Sequence, residues 1–300
     1  METVVGLDTH GHFKTGKDAH MGDFQTPSLA ASWNRSFGTV SVSDAHQDLV
    51  DAIQGRRLGT AFQPIVDLVR GRILGVEALV RPRPTPSFST PAELFDRAEQ
   101  LGLLWILEDA IRRATFRAAN PWPEATLLFL NTTPDVIAHE SFPDTLLDAA
   151  SEIAELSPDR LVIEITERST ETNLSRVRDA IDVLRSRGVQ IALDDVGAGE
   201  NGLKRITQVR PDWLKLDRGL IAGIDSDPVR QHLVRSLVDF ASSTGVGVIA
   251  EGIERRAELS MIVSLGVGHA QGFLIGCPSN RRAATDAGAV NRTIAALAQS

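Results

Sequence analysis

The sequence predicts an α/β fold, a TIM-like (β/α)8 barrel with one strand running against the others, on three observations. Short apolar runs of strand character recur from about residue 48 onward, and helical patterns separate most of them. Several of those patterns stop on a glycine, at Gly188, Gly245 and Gly266, as a left-handed helix end favours. The gap between the first two runs, around VRGR, is too short for a parallel crossover and predicts an antiparallel hairpin.

Residues 1–45 are polar and glycine-dotted and read as an extension or linker. Within it Leu29, Trp33 and Phe37 recur at helical spacing, which predicts a short amphipathic helix. The barrel is assigned to residues 46–292. Its strands are TAFQPIVDL and RILGVEALV, then TLLFLN, RLVIEIT, VQIALDD, DWLKLD, VGVIAE and GHAQGF. The helices between them include ILEDAIRRATFRAA, NLSRVRDAIDVLRSRG, DPVRQHLVRSLVDFASSTG and RRAELSMIVSLG. Glu108-Asp109 and Arg255-Arg256 read as solvated faces or turns.

At 300 residues and 42% hydrophobic content, the chain has ample material for a core of this kind. A net charge of -8 argues against DNA or an anionic membrane as partner, since both require a basic face. The single cysteine, Cys277, excludes an internal disulfide, makes a reducing cytoplasm the expected compartment and reads as a small packing residue. No apolar run reaches membrane-spanning length.

Barrel chemistry gathers where the strands end. Here the strand ends carry Glu77, Asn131, Glu164, Asp194 with Asp195, Lys215, Glu251 and Gln271. Alternation puts Val162, Glu164 and Thr166 on one face of their strand, and turns Lys215 into the barrel, opposite Leu214 and Leu216. Glu77, Leu79 and Arg81 likewise share a face, which places an arginine above the first carboxylate, a resting place for phosphate. Converging carboxylates repel one another unless cations neutralise them. Oxygen donors without histidine or cysteine suit Mg²⁺ or Mn²⁺ better than zinc. LDDVGAGENG then reads as the bridge of a two-metal site, with Asp194 shared between ions about 3.5 to 4 Å apart and Asp195 serving the second. Taken singly, Glu77 or Glu164 is equally half of an ion pair, Asn131 a cap residue and Lys215 the partner of Asp217. Their joint placement on successive strand ends is what points to a site.

EALVR, LFLNTT, IEITE, LDDVGAG, LKLD, AEGIE and AQGF, preceded by FQPIVDL, resemble in order the motifs of EAL-domain cyclic di-GMP phosphodiesterases. The resemblance runs from about Thr60 to Pro278. It implies the barrel with one antiparallel strand, a homodimer, and hydrolysis of one phosphodiester bond of cyclic di-GMP to the linear dinucleotide pGpG with two Mg²⁺ or Mn²⁺ ions. Residue by residue, it implies Glu77, Asn131, Glu164 and Asp194 as ligands of the first ion, Asp194 and Asp195 for the second, and Glu251 in support. Lys215 is similar to the lysine that activates the attacking water, so Glu77, Lys215 and Glu251 form the catalytic group. Gln63, Leu79, Arg81 and Gln271 fall to substrate binding, and Glu167 to steadying the loop after the paired aspartates. That loop departs from the family: Val196 stands in place of the usual phenylalanine, and Glu200-Asn201-Gly202 in place of Tyr-Ser-Ser. The departure keeps open a second reading, a catalytically weak cyclic di-GMP sensor or interaction module. A scaffold that takes a regulatory partner on residues 1–45, and an enolase-like barrel, are further alternatives.

Overall fold

The computed structural model describes residues 44–54, 57–121, 126–166, 174–197 and 202–285, together with two short strands, β1 (Val5–Leu7) and β2 (Phe13–Thr15), that pair antiparallel. The helix predicted around Leu29 to Phe37 lies outside the described residues. The chain divides into two compact units, Met1–Gly59 with Arg81–Ile111, and Thr60–Val80 with Arg112–Ser300.

In the first unit, helix α1 (Asp44–Ile53) and helix α2 (Pro91–Gln100) pack Leu49, Ala52, Ile53, Leu94 and Ala98 together with Phe88 and Leu107. The start of α2 is written in its residues. Thr90 accepts from the Glu93 amide at 3.2 Å, Glu93 accepts from the Thr90 amide at 3.1 Å, and Pro91 occupies the first turn, where its missing N–H costs nothing. Helix α3 (Leu104–Ala119) follows; contrary to a solvated face, its Glu108 is buried.

The strands of the barrel are β3 (Leu58–Asp67), β4 (Arg72–Pro82), β5 (Leu127–Thr132), β6 (Leu161–Ile165), β7 (Gln190–Val196), β8 (Trp213–Leu216), β9 (Gly247–Ala250) and β10 (His269–Ala270). They close in the order β10-β3-β4-β5-β6-β7-β8-β9. From β4 round to β10 the pairs run parallel, whereas β3 meets β10 antiparallel with His269 opposite Asp67. The reversed strand is therefore the first, as the short VRGR turn requires.

Helices α4 (Pro134–Ile137), α5 (Phe142–Ala154), α6 (Leu174–Ser186), α7 (Gly202–Val209), α8 (Arg218–Ile221), α9 (Pro228–Thr244), α10 (Arg256–Ser264) and α11 (Arg281–Ala284), with 3-10 turns at Pro158–Arg160 and Ile224–Ser226, complete the described elements. Asp227 caps α9 by accepting from the amides of Val229 and Arg230, and Gly245 ends that helix at φ 74°. No helix among the described residues is long and apolar enough to cross a membrane.

An apolar plug fills the middle of the barrel. Ile65, Phe129, Val162, Ala192 and Ile249 are all fully buried there, each large side chain contributing about 1.5–3 kcal/mol. Gly75 makes room for Phe129, because a Cβ at that position would lie 2.8 Å from the Phe129 ring. Two readings need correction. The strand expected at GHAQGF is only His269–Ala270, because the chain turns at Gln271 and hydrogen-bonds the Ile253 amide with the Gln271 carbonyl. Cys277 is exposed, since it follows the last strand in a surface segment. Arg255 is exposed at the start of α10, as read, and pairs there with both Asp225 and Glu258.

Candidate active site

One step along each strand separates the apolar plug from a polar layer. Two residues beyond Phe129 stands Asn131, beyond Val162 Glu164, beyond Ala192 Asp194, and beyond Ile249 Glu251. The same step leads from Trp213 to Lys215, from Gly75 to Glu77 and from His269 to Gln271. Along the reversed β3 it must be counted backwards, from Ile65 to Gln63. All of these side chains thus face the mouth of one barrel.

Lys215 is 1% exposed, and its ammonium is the hub. It lies 2.7 Å from Glu251, 2.8 Å from Glu164, 3.2 Å from Asp194 and 3.5 Å from Glu77. The alternative partner, Asp217, is occupied elsewhere, accepting from the Gly219 amide at the start of α8. Glu77 accepts from Asn131 Nδ2 at 2.7 Å and from Gln271 Nε2 at 2.7 Å. Gln271 also reaches Gln63 Oε1 at 3.1 Å, and Gln63 in turn donates to the Gly276 carbonyl. The sequence-predicted Gln63, Glu77, Asn131, Glu164, Asp194, Lys215, Glu251 and Gln271 therefore form one connected group.

One ammonium among four carboxylates leaves the site short of positive charge. Burial drives the Glu164 carboxyl well above its ordinary value, with the charges of Glu77 and Asp194 adding to it against Lys215. Glu251 is pushed up to about 8, first by burial, opposed by Lys215 and reinforced by Asp194 and Glu77. Burial also acts on Glu77, but Lys215 and the bonds from Asn131 and Gln271 outweigh it and hold that carboxyl below the ordinary range. Lys215 stays charged: burial disfavours its ammonium, and the surrounding acids more than reverse this. Neither oxygen of Glu164 has a donor aligned on it for a hydrogen bond, nor does Asp194 Oδ1.

Adjacent aspartates on a regular strand would point to opposite faces. Here the register between β7 and β8 shifts between Leu193 and Val196, and Asp195 takes the left-handed conformation, φ 53°. Asp194, Asp195 and Glu251 thereby each offer an oxygen within 4.8 Å of the others, an arrangement able to hold a metal ion. Gly197 follows at φ 109°, where Leu220 fills the space a Cβ would take.

Beside this group a cleft is lined by Gln63, Glu77, Glu251 and Gln271, and also by Arg218, Glu254 and Phe273. The last three were not singled out in the sequence, although each lies within three residues of a polar strand-end residue. Leu79 is half-buried and Arg81 exposed near the end of β4, and Glu167 lies outside the described residues.

A family model described as the EAL domain matches residues 46–278. The chain belongs to the EAL domain family. Among its relatives is the bifunctional diguanylate cyclase/cyclic di-GMP phosphodiesterase MucR of Pseudomonas aeruginosa, 29% identical over 237 residues, covering 77% of this chain and 34% of that protein. The first curated relatives are matched over only 24% to 34% of their own length. The fold is similar to Klebsiella pneumoniae BlrP1 in a manganese/cy-diGMP complex, at TM-score 0.65 and 31% identity, covering 75% of this chain and 57% of that one. It is also similar to the PaMucR phosphodiesterase in complex with c-di-GMP, at TM-score 0.70 and 27% identity, covering 80% of this EAL domain chain and 99% of that one.

Proposed function

We propose that this EAL domain is a divalent-cation-dependent phosphodiesterase that hydrolyses cyclic di-GMP to linear pGpG. The observation that carries the reading is the ring of Glu77, Glu164, Asp194 and Glu251 about Lys215, with Asp195 bulged in beside it. This donor set fits Mg²⁺ or Mn²⁺: its atoms are oxygens, and the buried Glu164 Oε2 has no hydrogen-bond donor. Glu77, Asn131, Glu164 and Asp194 would hold one ion, Asp194 with Asp195 a second, and Glu251 would support them. Bound there, the cations supply acidity to a water and neutralise charge on the phosphoryl oxygens.

The chain's own groups do the rest. Lys215, held charged, donates hydrogen bonds and orients the attacking water. Glu251, in contact with that ammonium, would receive the water's proton. Gln63 and Gln271 line the cleft that takes the nucleotide, with Leu79 and Arg81 as further substrate contacts and Glu167 steadying the loop after Asp195. A homodimer, and a regulatory partner on residues 1–45, belong to the same reading.

Incubation of the purified chain with cyclic di-GMP and either ion, followed by chromatography, is expected to yield pGpG, and Glu77→Ala to yield none. Folded wild-type protein that makes no product with either ion would overturn the enzyme reading. A second reading, a cyclic di-GMP sensor, is favoured by Val196 and Glu200-Asn201-Gly202 in the loop. Tight nucleotide binding with negligible turnover would select it.

A further inference from the structure

The pairing of β6 with β7 ends at Ile165 opposite Leu193, one residue short of the level of Asp194. At the next residues β7 shifts register against β8 and Asp195 turns left-handed, so the ladder that pairs Glu164 with Ala192 does not extend to hold the two aspartates at a fixed spacing from it. Arg205 takes over that role. From helix α7, which follows β7 in the chain, its Nη2 donates to the carbonyls of Ile165 at 3.2 Å and Thr166 at 2.8 Å, the two residues after Glu164. A guanidinium donor makes such bonds stronger than neutral ones, and these are partly buried.

The helix that carries Arg205 is itself anchored. Two arginines of α6 hold its C-terminal carbonyls: Arg178 Nε donates to Gln208 at 3.2 Å, and Arg185 Nη2 to Val209 at 3.2 Å and to Arg210. Arg205 therefore acts from a fixed base on the end of the strand that bears Glu164.

We propose that Arg205 is a positioning residue for the cation site, a clasp that sets the distance between Glu164 and the Asp194-Asp195 pair. The inference rests on the phosphodiesterase reading, because it matters only if those carboxylates share cations. Groups that orient metal ligands without touching the metal typically change affinity about 10–100-fold when removed.

The test is Mn²⁺ uptake by calorimetry, with thermal melting of the metal-free proteins alongside. Arg205→Ala is expected to bind Mn²⁺ about tenfold more weakly, and Arg205→Lys to recover to within about threefold of wild type. The control is Arg235→Ala, which removes a similar arginine-to-carbonyl bond, to Ser264 at 3.0 Å, between α9 and α10. It is expected to lower the melting temperature without changing Mn²⁺ affinity. If Arg205→Ala behaves like this control, losing stability but binding Mn²⁺ as wild type does, the inference is overturned. If Arg205→Ala does not fold, Arg205→Gln, which keeps polar reach without the fork, is measured against the same tenfold expectation. Wild-type protein that takes up no Mn²⁺ defeats the functional reading and this inference with it, an outcome distinct from a wild-type site that binds normally and ignores Arg205.

Discussion

The two ends of this barrel handle polar groups in opposite ways. At the closed end, Asp67 accepts from the amides of Val69 and Arg70 and from the Arg70 side chain, and Trp213 donates to Gln190 at 2.8 Å. There His269 meets the Trp213 ring edge-on at 5.1 Å and has its Nδ1 3.2 Å from the Val248 carbonyl. At the open end, four carboxylates crowd one ammonium, and oxygens of Glu164 and Asp194 have no aligned donor. One end is satisfied by hydrogen bonds within the chain, while the other concentrates carboxylates about a single ammonium. The difference teaches that stability and chemistry have been separated by the length of a few strand residues.

Changing the closed end should cost stability and leave the cation site alone. Trp213→Ala removes the ring that packs against Phe129 and fills the space over Gly247, and is expected to cost about 3–5 kcal/mol in urea unfolding. Mn²⁺ affinity of the folded variant should stay within about twofold of wild type. Loss of cation binding in that variant would break the comparison.

At the open end, a bound cation should itself stabilise. Mn²⁺ at a hundred times its dissociation constant is expected to raise wild-type stability by about 2.7 kcal/mol, reversed by chelation. Asp194→Asn should lose most of that gain. An equal gain in this variant would place the ion elsewhere.

Asp67 gives the closed end a pH signature. Burial by itself would raise its carboxyl, but the bonds from Arg70 and the charges of His269 and Arg70 prevail and hold it below its ordinary value. A depressed folded value stabilises above the unfolded value, near about 3.9, and this contribution disappears as pH falls through the folded value. Asp67→Ala should therefore cost about 1.5–3 kcal/mol near neutral pH, and the difference should shrink below about pH 4 in calorimetric melts. A difference independent of pH would contradict the charge argument.

The smallest effect has the opposite sign. Glu164→Gln replaces a carboxyl whose ionisation is disfavoured at this crowded mouth by a neutral amide, so the metal-free variant is expected to be more stable than wild type by about 1 kcal/mol, with weaker Mn²⁺ uptake. A destabilised variant would mean that Lys215 alone balances the ring.

Much of the site was legible because strand alternation is a local rule. Once Val162 is placed inward, Glu164 must follow, and Leu214 and Leu216 facing out turn Lys215 in. The capped helix α9 and the hairpin around VRGR were equally local. What escaped depended on neighbours distant in sequence. Arg218, Glu254 and Phe273 border the cleft because three separate loops meet there, and their one signal in the chain is closeness to Lys215, Glu251 and Gln271. Glu108 reads as half of a charged pair on a helix, yet it is buried. Arg205 looks like an ordinary surface arginine until the carbonyls of Ile165 and Thr166 are brought beneath it.

By itself, the sequence determined the period of each strand, the reversed first strand and the acids at the strand ends, because side-chain direction and turn length are properties of a few adjacent residues. Only the tertiary structure decided that Asp194 and Asp195 can serve the same mouth. That required a shifted register against β8 and a left-handed Asp195, a conformation that residues with a Cβ adopt only when the surrounding structure enforces it.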